Sequence, residues 1–266
     1  MNRRSVGLAG LLAAASLVLA ACGGAGGTPG ADTSLGSVKE SGEMVFGTEG
    51  TYKPFTFHAS GTGALTGYDV EVATAVAGKL GVKANFAETQ FDSLFAGLTT
   101  KRFDAIANQV SVNPTRVEKY ELSIPYTVSR GVIVVRDNNT SITAFTDLKG
   151  ATTAQSLTSN WYTLALSSGA KVEAVEGWAQ SVSLLKDGRV DALVNDKLTV
   201  LDYLKNNPDS GLKIAATTTD TSDSVFALRR GSVALTGAVD TALKQLSADG
   251  TLAKLGEKYF GQDVSR

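Results

Sequence analysis

The chain has 266 residues, 43% of them hydrophobic and 19% charged, with a formal net charge of −1. Those values describe a globular protein with room for one large or two medium domains. The near-neutral balance gives no electrostatic basis for nucleic acid or an anionic membrane surface as the main partner, which leaves small molecules and proteins.

The first predicted element is an export segment over residues 1–22. Arg3 and Arg4 form a basic start, VGLAGLLAAASLVLA an apolar stretch, and small residues follow, the pattern of a signal rather than of a spanning helix. The segment closes on Leu19, Ala20, Ala21 and Cys22. This resembles the bacterial lipobox and implies lipid attachment at Cys22; a plain secretory signal with an incidental cysteine is the other reading. Cys22 is the single cysteine of the chain, so no intramolecular disulfide can form, and it fits an anchor better than a staple. Residues 23–37, GGAGGTPGADTSLGS, read as a flexible tether, with the folded part beginning near residue 38.

From Glu43 onward short apolar runs alternate with helical patterns, which argues for α/β layers. EMVFGT reads as a strand, DVEVATAVAGKLG as a helix capped by Asp69 and closed by Gly81, and VKANFAE as the next strand. Val72, Ala73, Val76, Ala77 and Leu80 share one helical face, so the helix packs on a sheet. Between the first strand and this helix, Tyr52 and Phe57 sit in a loop punctuated by Gly and Pro. Tyr52 is assigned to a pocket; Phe57 suits core and pocket equally. Glu49, just past the first strand, is a candidate for holding an ammonium group.

Two distant segments align without a gap: FDSLFAGLTTKRFDAIANQ (91–109) and WAQSVSLLKDGRVDALVND (178–196). Leu98 matches Leu185, Arg102 matches Arg189, Asp104 matches Asp191, Ala105 matches Ala192 and Asn108 matches Asn195. Each copy is an aromatic, an amphipathic helix, a basic turn and a buried strand ending in amides or a carboxylate, so two similar lobes are expected. Ligands in open α/β sheets bind beyond the carboxyl ends of strands. Asn108, Gln109 and Asp196 should therefore look into the space between the lobes. Asp196, after a strand and before a helix, also has the makings of an N-cap. Phe91, like its partner Trp178, could instead be a structural residue opening each helix.

The stretch QVSVNPTRVEKY follows. Asn113 and Pro114 signal a helix start, which makes Arg116 the third helical residue. A cation there faces the positive end of the helix dipole, at a cost of roughly 0.3–1 kcal/mol. An external anion between the guanidinium fork and the helix N–H groups would reverse that cost. A solvated arginine, or one paired with Glu118 or Glu121, is the alternative.

GVIVVRD and SDSVFALRRG read as two crossings between the lobes. Residues 38–127 and 224–266 would form lobe 1, and residues 128–223 an inserted lobe 2, with the paired crossings as a hinge. VALTGAVDTALKQLSADG and TLAKLGEKYFG close the chain as helices. Catalysis has little material: His58 is the only histidine, read as a solvated loop residue, and no thiol remains for nucleophilic work beyond Cys22. No H-E-x-x-H, paired cysteines, P-loop or dinucleotide-binding glycine pattern is present, so no metal or cofactor is expected.

At this point the chain resembles the extracytoplasmic solute-binding proteins of polar amino-acid ABC transporters. The matching pieces are GTEGTYKPFTF, TGYDVEVATAVAGKLG, FDSLFAGLTTKRFDAIANQVSVNPTR, SIPYTVS, NDKLTVLDYL and LAKLGEKYFG, in that order. TAQSLTSNW, GWAQSV and NDKLTVLDYLK further resemble the cystine-binding branch. The resemblance implies the type II two-lobe periplasmic-binding-protein fold, an α/β architecture with two hinge strands. It also implies a non-enzymatic, monomeric receptor outside the cytoplasm that hands its ligand to permease subunits. By the same resemblance, Arg116 holds the ligand α-carboxylate and Asp196 its α-ammonium. Ser111, Thr158, Ser159 and Asn160 supply donors, and Tyr52 and Phe91 an aromatic wall. Thr158, Ser159 and Asn160 stand where many relatives have Gly-Thr-Thr, so backbone rather than side-chain donors could serve there. The ligand implied is L-cystine, with another polar amino acid as alternative and a dehydratase-like enzyme on the same fold as a more distant one.

Overall fold

The computed structural model describes residues 32–59 and 63–266. The export segment, Cys22 and most of the tether lie outside those residues. The fold begins earlier than the tether reading placed it: α1 spans Ser34–Ser41, inside the stretch 23–37. Val38 is buried and Leu35 packs on the same core, while the Asp32 carboxylate accepts from the Ser34 and Ala234 N–H groups. These anchors make ordered helix of a segment whose composition alone reads as loose.

The first half is built on β1 (Glu43–Thr48), which pairs in parallel with β5 (Lys83–Glu88) and β6 (Ala105–Ser111). Between β1 and β5 lie a small antiparallel sheet of β2 (Thr51–Tyr52), β3 (Thr56–His58) and β4 (Leu65–Thr66), and then α2 (Tyr68–Lys79). All seven residues of β6 are buried, because the sheet is covered on both faces. On one face α2 packs with α8 (Val233–Ala248) and α9 (Thr251–Phe260) around Phe46, Tyr68, Val76, Phe226 and Leu243. On the other, α3 (Phe91–Thr99) packs through Leu94 and Leu98 on Phe103 and Ile106. After β6 come α4 (Pro114–Lys119) and β7 (Tyr120–Leu122).

Two long strands, β8 (Thr127–Arg136) and β12 (Leu212–Arg229), run antiparallel and carry the chain from one half to the other. Their pairing places Thr127 against Ser224 and Val128 against Asp223, so the two crossings read from sequence lie side by side. The second half adds β9 (Thr152–Gln155), α5 (Asn160–Ser167), β10 (Lys171–Ala174), α6 (Trp178–Lys186), β11 (Leu193–Asp196) and α7 (Lys197–Asn206). Its β9 and β10 are parallel, a bridge from Thr153 to Ala192 ties β9 to β11, and β11 pairs with β8. Separate cores on its two sides gather around Trp178, Val182 and Leu185, and around Ile133, Leu148 and Val194.

The sequence repeat has a structural cause. Asp104 and Asp191 each close a helix-to-strand turn by a reciprocal pair of bonds. Asp104 donates its N–H to the Val45 carbonyl at 2.8 Å and accepts the Val45 N–H at 2.9 Å. Asp191 does the same with Thr152, at 2.8 Å in each direction. The turn before each adopts the left-handed conformation at matching positions, Lys101 (φ 62°) and Gly188 (φ 72°). The shared Arg102 and Arg189 donate backbone N–H groups to the Gly97 and Leu184 carbonyls, both at 2.9 Å. β1, β5, α3 and β6 therefore correspond to β9, β10, α6 and β11.

Asp69 does not cap α2. That position belongs to Gly67 at φ 129°, where a Cβ would come within 2.2 Å of the Phe55 carbonyl oxygen. Asp69 is the second residue of the helix, still in its first turn and fully buried, and takes a different role.

Candidate functional site

The carboxyl ends of β1, β6, β9 and β11 converge on a cleft of about 470 Å³, counting its mouth. One wall carries Glu49, Tyr52, Phe91, Asn108 and Gln109; the other carries Gln155, Ser159, Asn160, Trp161, Trp178 and Asn195. Seven of the residues expected at the site thus share one cleft: Glu49, Tyr52, Phe91, Asn108, Gln109, Ser159 and Asn160. Arg116 and Thr158 line an adjoining groove that meets the cleft at Asn160. Ser111 and Asp196 are buried and line neither.

Arg116 is the third residue of α4, as the Asn-Pro signal implies. The Asn113 side chain caps the helix by accepting the Arg116 N–H at 2.9 Å. The side chain is only 4% exposed. Its guanidinium donates to the Ser111 carbonyl at 2.7 Å and to the Thr158 carbonyl at 3.0 Å, and lies over the rings of Phe95 and Phe91 at 5.0 and 5.9 Å. Burial pulls its pKa down to about 10. The expected alternative partner Glu121 instead faces Arg230 at 3.7 Å. Among the described residues no carboxylate lies within 4.0 Å of the Arg116 guanidinium. Ser111 meets Arg116 through its carbonyl, an acceptor, where a donor was expected.

Asp196 ends β11 and caps α7, accepting the Leu198 N–H at 2.7 Å and the Ser129 hydroxyl at 2.8 Å with one oxygen. It is 3% exposed, and burial pushes its pKa up to about 6 against the lowering effect of those bonds. No cationic side chain of the described residues is within 4.0 Å of it. Arg116 is thus a buried cation of the first half and Asp196 a buried acid of the second, each without an oppositely charged side chain within 4.0 Å among the described residues.

Asn108 spends its amide on Glu49: it donates to Oε2 at 2.6 Å and accepts the Glu49 N–H at 2.8 Å. Glu49 is largely enclosed, and its pKa is pushed up to about 7, by burial first and by the charge of Asp92 in addition. Gln109 lines the cleft, but with φ at 49° its side chain turns inward. Its amide donates to Asp69 at 2.6 Å and to Thr127 at 3.1 Å, and its backbone N–H donates to Asp69 at 2.7 Å. Asp69, driven by burial to about 7, thereby braces α2 against β6, and Gln109 carries the link on to β8.

Thr158 is engaged across the cleft. The Asp92 carboxylate of α3 accepts from the Leu157 N–H at 3.1 Å, the Thr158 N–H at 2.9 Å and the Thr158 hydroxyl at 2.7 Å. Ser159 caps α5 through its hydroxyl oxygen, at 3.0 Å from the Tyr162 N–H, as a helix opening requires. The Tyr52 hydroxyl donates to Asn195 at 2.8 Å, and its ring touches the cores of both halves. Gly131 on β8 makes room for Trp161, whose ring would come within 2.7 Å of a Cβ there. His58 lies on β3, away from the cleft, bonded to Glu88 at 2.9 Å. Phe57 lies over Lys53 outside the cleft walls.

Sequence reasoning missed Asp92, Gln155 and Trp161. Gln155 was within reach, since it ends β9 as Asn108 and Gln109 approach the end of β6. Asp92 gives no local signal, because its partners exist only where the halves meet. Among the described residues there is no cluster of His, Cys, Asp and Glu able to hold a metal, and no helix long and apolar enough to cross a membrane.

A two-lobed α/β molecule with a polar interlobe cleft at its strand ends is the architecture of a solute receptor. Residues 44–262 match the profile of the bacterial extracellular solute-binding proteins, family 3, and the chain belongs to that family. It is 49% identical over 253 residues to the L-cystine-binding protein TcyA of Bacillus subtilis, covering 93% of this chain and 94% of that one. Among solved structures it is 47% identical to the L-cystine solute receptor of Neisseria gonorrhoeae in its unliganded open conformation, over 88% of this chain and 99% of that one, with a TM-score of 0.59. An ancestral arginine-binding protein bound to arginine is 34% identical over 83% of this chain and 99% of that one, yet superposes with a TM-score of 0.78. Poorer agreement with the more similar but open receptor is the pattern expected when the halves are drawn together. The bonds from Asp92, Arg116 and Tyr52 to the second half have the same meaning.

Proposed function

We propose that this chain is the receptor of an amino-acid ABC importer and that L-cystine is its ligand. The observation that carries the proposal is the pair of buried, unneutralised charges, Arg116 in the first half and Asp196 in the second. A ligand carboxylate completes Arg116 and the adjoining helix start; a ligand ammonium completes Asp196. One zwitterion touching both halves stabilises the closed arrangement because it has less to bind in the open one. β8 and β12 act as the hinge, with residues 38–127 and 224–266 moving against 128–223. The names of the relatives support cystine, and the closed receptor is the form handed to the permease subunits.

The test is a melting-temperature screen with L-cystine, cysteine, glutamine, histidine, arginine and glutamate. A ligand at about 100 times its Kd stabilises by about 2.7 kcal/mol. L-cystine is expected to give the largest rise; a rise with histidine or arginine alone would reassign the ligand. In the same reading the receptor is a monomer held outside the cytoplasm by lipid on Cys22. Cys22→Ser should release it from membranes into the soluble fraction.

A further inference from the structure

The two halves share a pair of arginines that lie outside the aligned segments. Arg229 ends β12 and donates to the Phe103 carbonyl at 2.8 Å; Arg136 ends β8 and donates to the Val190 carbonyl at 2.9 Å. Phe103 and Val190 are equivalent positions, each directly before the aspartate of its clamp. In the first half the arginine's charge is matched, since Asp104 lies 3.8 Å from the Arg229 guanidinium. In the second half it is not: among the described residues no carboxylate is within 4.0 Å of Arg136. Arg136 spends one nitrogen, Nη1, on the Val190 carbonyl and on the Leu185 carbonyl at the end of α6, the latter at 2.7 Å. Capping the helix end occupies only that edge of the fork.

Beside this unmatched arginine lies a pocket of about 560 Å³, counting its mouth. Lys186, in the last turn of α6, lines it with Arg136 and likewise has no carboxylate within 4.0 Å among the described residues. Ser210, on the turn before β12, lines it too; it is 9% exposed, and its hydroxyl has no hydrogen-bond partner. A buried polar group left unsatisfied costs about 1–3 kcal/mol, so its persistence points to an absent partner. Asp137 is the one carboxylate of the lining, which leaves one positive charge in excess over Arg136 and Lys186. The pocket is remote from the interlobe cleft. Asp196 pairs with Gly131 at the cleft end of β8, and Arg136 stands at the other end, about 17 Å along the strand.

We propose that Arg136, Lys186 and Ser210 form a phosphate-binding site on the second half, separate from the cleft. Arg136 offers the remaining edge of its fork to the phosphate oxygens, Lys186 a point charge, and the Ser210 hydroxyl a further donor. One positive charge in excess suits a singly charged group, a phosphodiester or dihydrogen phosphate, and the Asp137 carboxylate disfavours a dianion. The first half lacks the site because Asp104 already faces Arg229. Helix capping accounts for Nη1 of Arg136 but for neither the lysine nor the unpartnered hydroxyl, and a bound phosphate accounts for all three.

Calorimetry on the full chain near pH 6 tests this with two probes: inorganic phosphate, mostly singly charged there, and glycerophosphoglycerol, the head of phosphatidylglycerol freed of its acyl chains. The wild type should bind at least one of them saturably, and Arg136→Gln should weaken that binding about tenfold or more. Because Arg136→Gln also uncovers two carbonyls, Lys186→Gln and Ser210→Ala carry the test if it does not fold. Neither of those side chains has a hydrogen-bond partner among the described residues, so a purely structural role predicts no change, whereas the site predicts a loss of about threefold or more from each. Tighter binding of glycerophosphoglycerol would make a phospholipid head the source of the phosphate, and tighter binding of inorganic phosphate would make it the free ion; both support the site. Absence of saturable binding with both probes, or unchanged affinity in both Lys186→Gln and Ser210→Ala, would overturn it.

Discussion

Asp92→Ala is the most informative single change, because it removes a contact between the halves without touching the charges assigned to the ligand. The side chain lies at the surface, and its carboxylate takes three bonds from the loop before α5, at 3.1, 2.9 and 2.7 Å. Hydrogen bonds to a charged group are worth about 1.5–3 kcal/mol each, but solvent screening at the surface reduces the three together to about 1–2 kcal/mol. That is a factor of about 5–30 in the ratio of closed to open protein. Small-angle scattering should show a larger radius of gyration for the unliganded variant than for the wild type, with the two converging at saturating ligand. Because binding is coupled to closure, the apparent Kd should rise by up to the same factor. Unchanged scattering and affinity would refute the view that Asp92 holds the halves together. A loss beyond about 100-fold would show that it contacts the ligand itself.

Other consequences can be checked separately. Arg116→Ala should reduce ligand affinity by about 2–5 kcal/mol in calorimetry, since it leaves the ligand carboxylate buried without its partner. Arg116→Lys should recover only part of the loss, lacking the bidentate fork. Asp104→Ala and Asp191→Ala should each lower unfolding stability by about 1–3 kcal/mol in urea titrations, similar to each other, because each frees the same backbone N–H in its own half. Glu49 is raised in the folded protein from 4.5 to about 7, so it favours the unliganded fold below about pH 4.5. That contribution, of about 3 kcal/mol, disappears as pH rises through 7. A bound ammonium reverses the preference, so binding near pH 6 should expel protons and weaken as pH falls from 7.5 to 5.5. Calorimetry in buffers of different ionisation enthalpy measures this, and Glu49→Gln should remove the share titrating near 7. Proton uptake on binding would contradict the assignment.

The sequence carried the frame of the site further than its details. Asn113 and Pro114 located the helix start that places Arg116, and the aligned segments located Asp104, Asp191 and the strand ends. Those features depend on local geometry, which neighbouring residues encode. What neighbouring residues do not encode depends on tertiary packing. Asp69 looked like a cap because its type suits one, but Gly67 takes the cap and Asp69 faces Gln109. Gln109 was placed on the right strand, yet its side-chain direction follows a backbone angle that composition does not reveal. Thr158 was read as a ligand donor, whereas its N–H and hydroxyl are taken by Asp92 from the opposite half. The helix at Ser34–Ser41 was hidden because its stability comes from Val38 and from the contact of Asp32 with Ala234, 202 residues away.

A crystal structure of the complex with L-cystine tests the central claim most directly. One carboxylate should lie within hydrogen-bonding distance of the Arg116 guanidinium and an ammonium of the same head within reach of Asp196, with contacts from both halves. A ligand held elsewhere, leaving Arg116 bonded only to Ser111 and Thr158, would contradict the account.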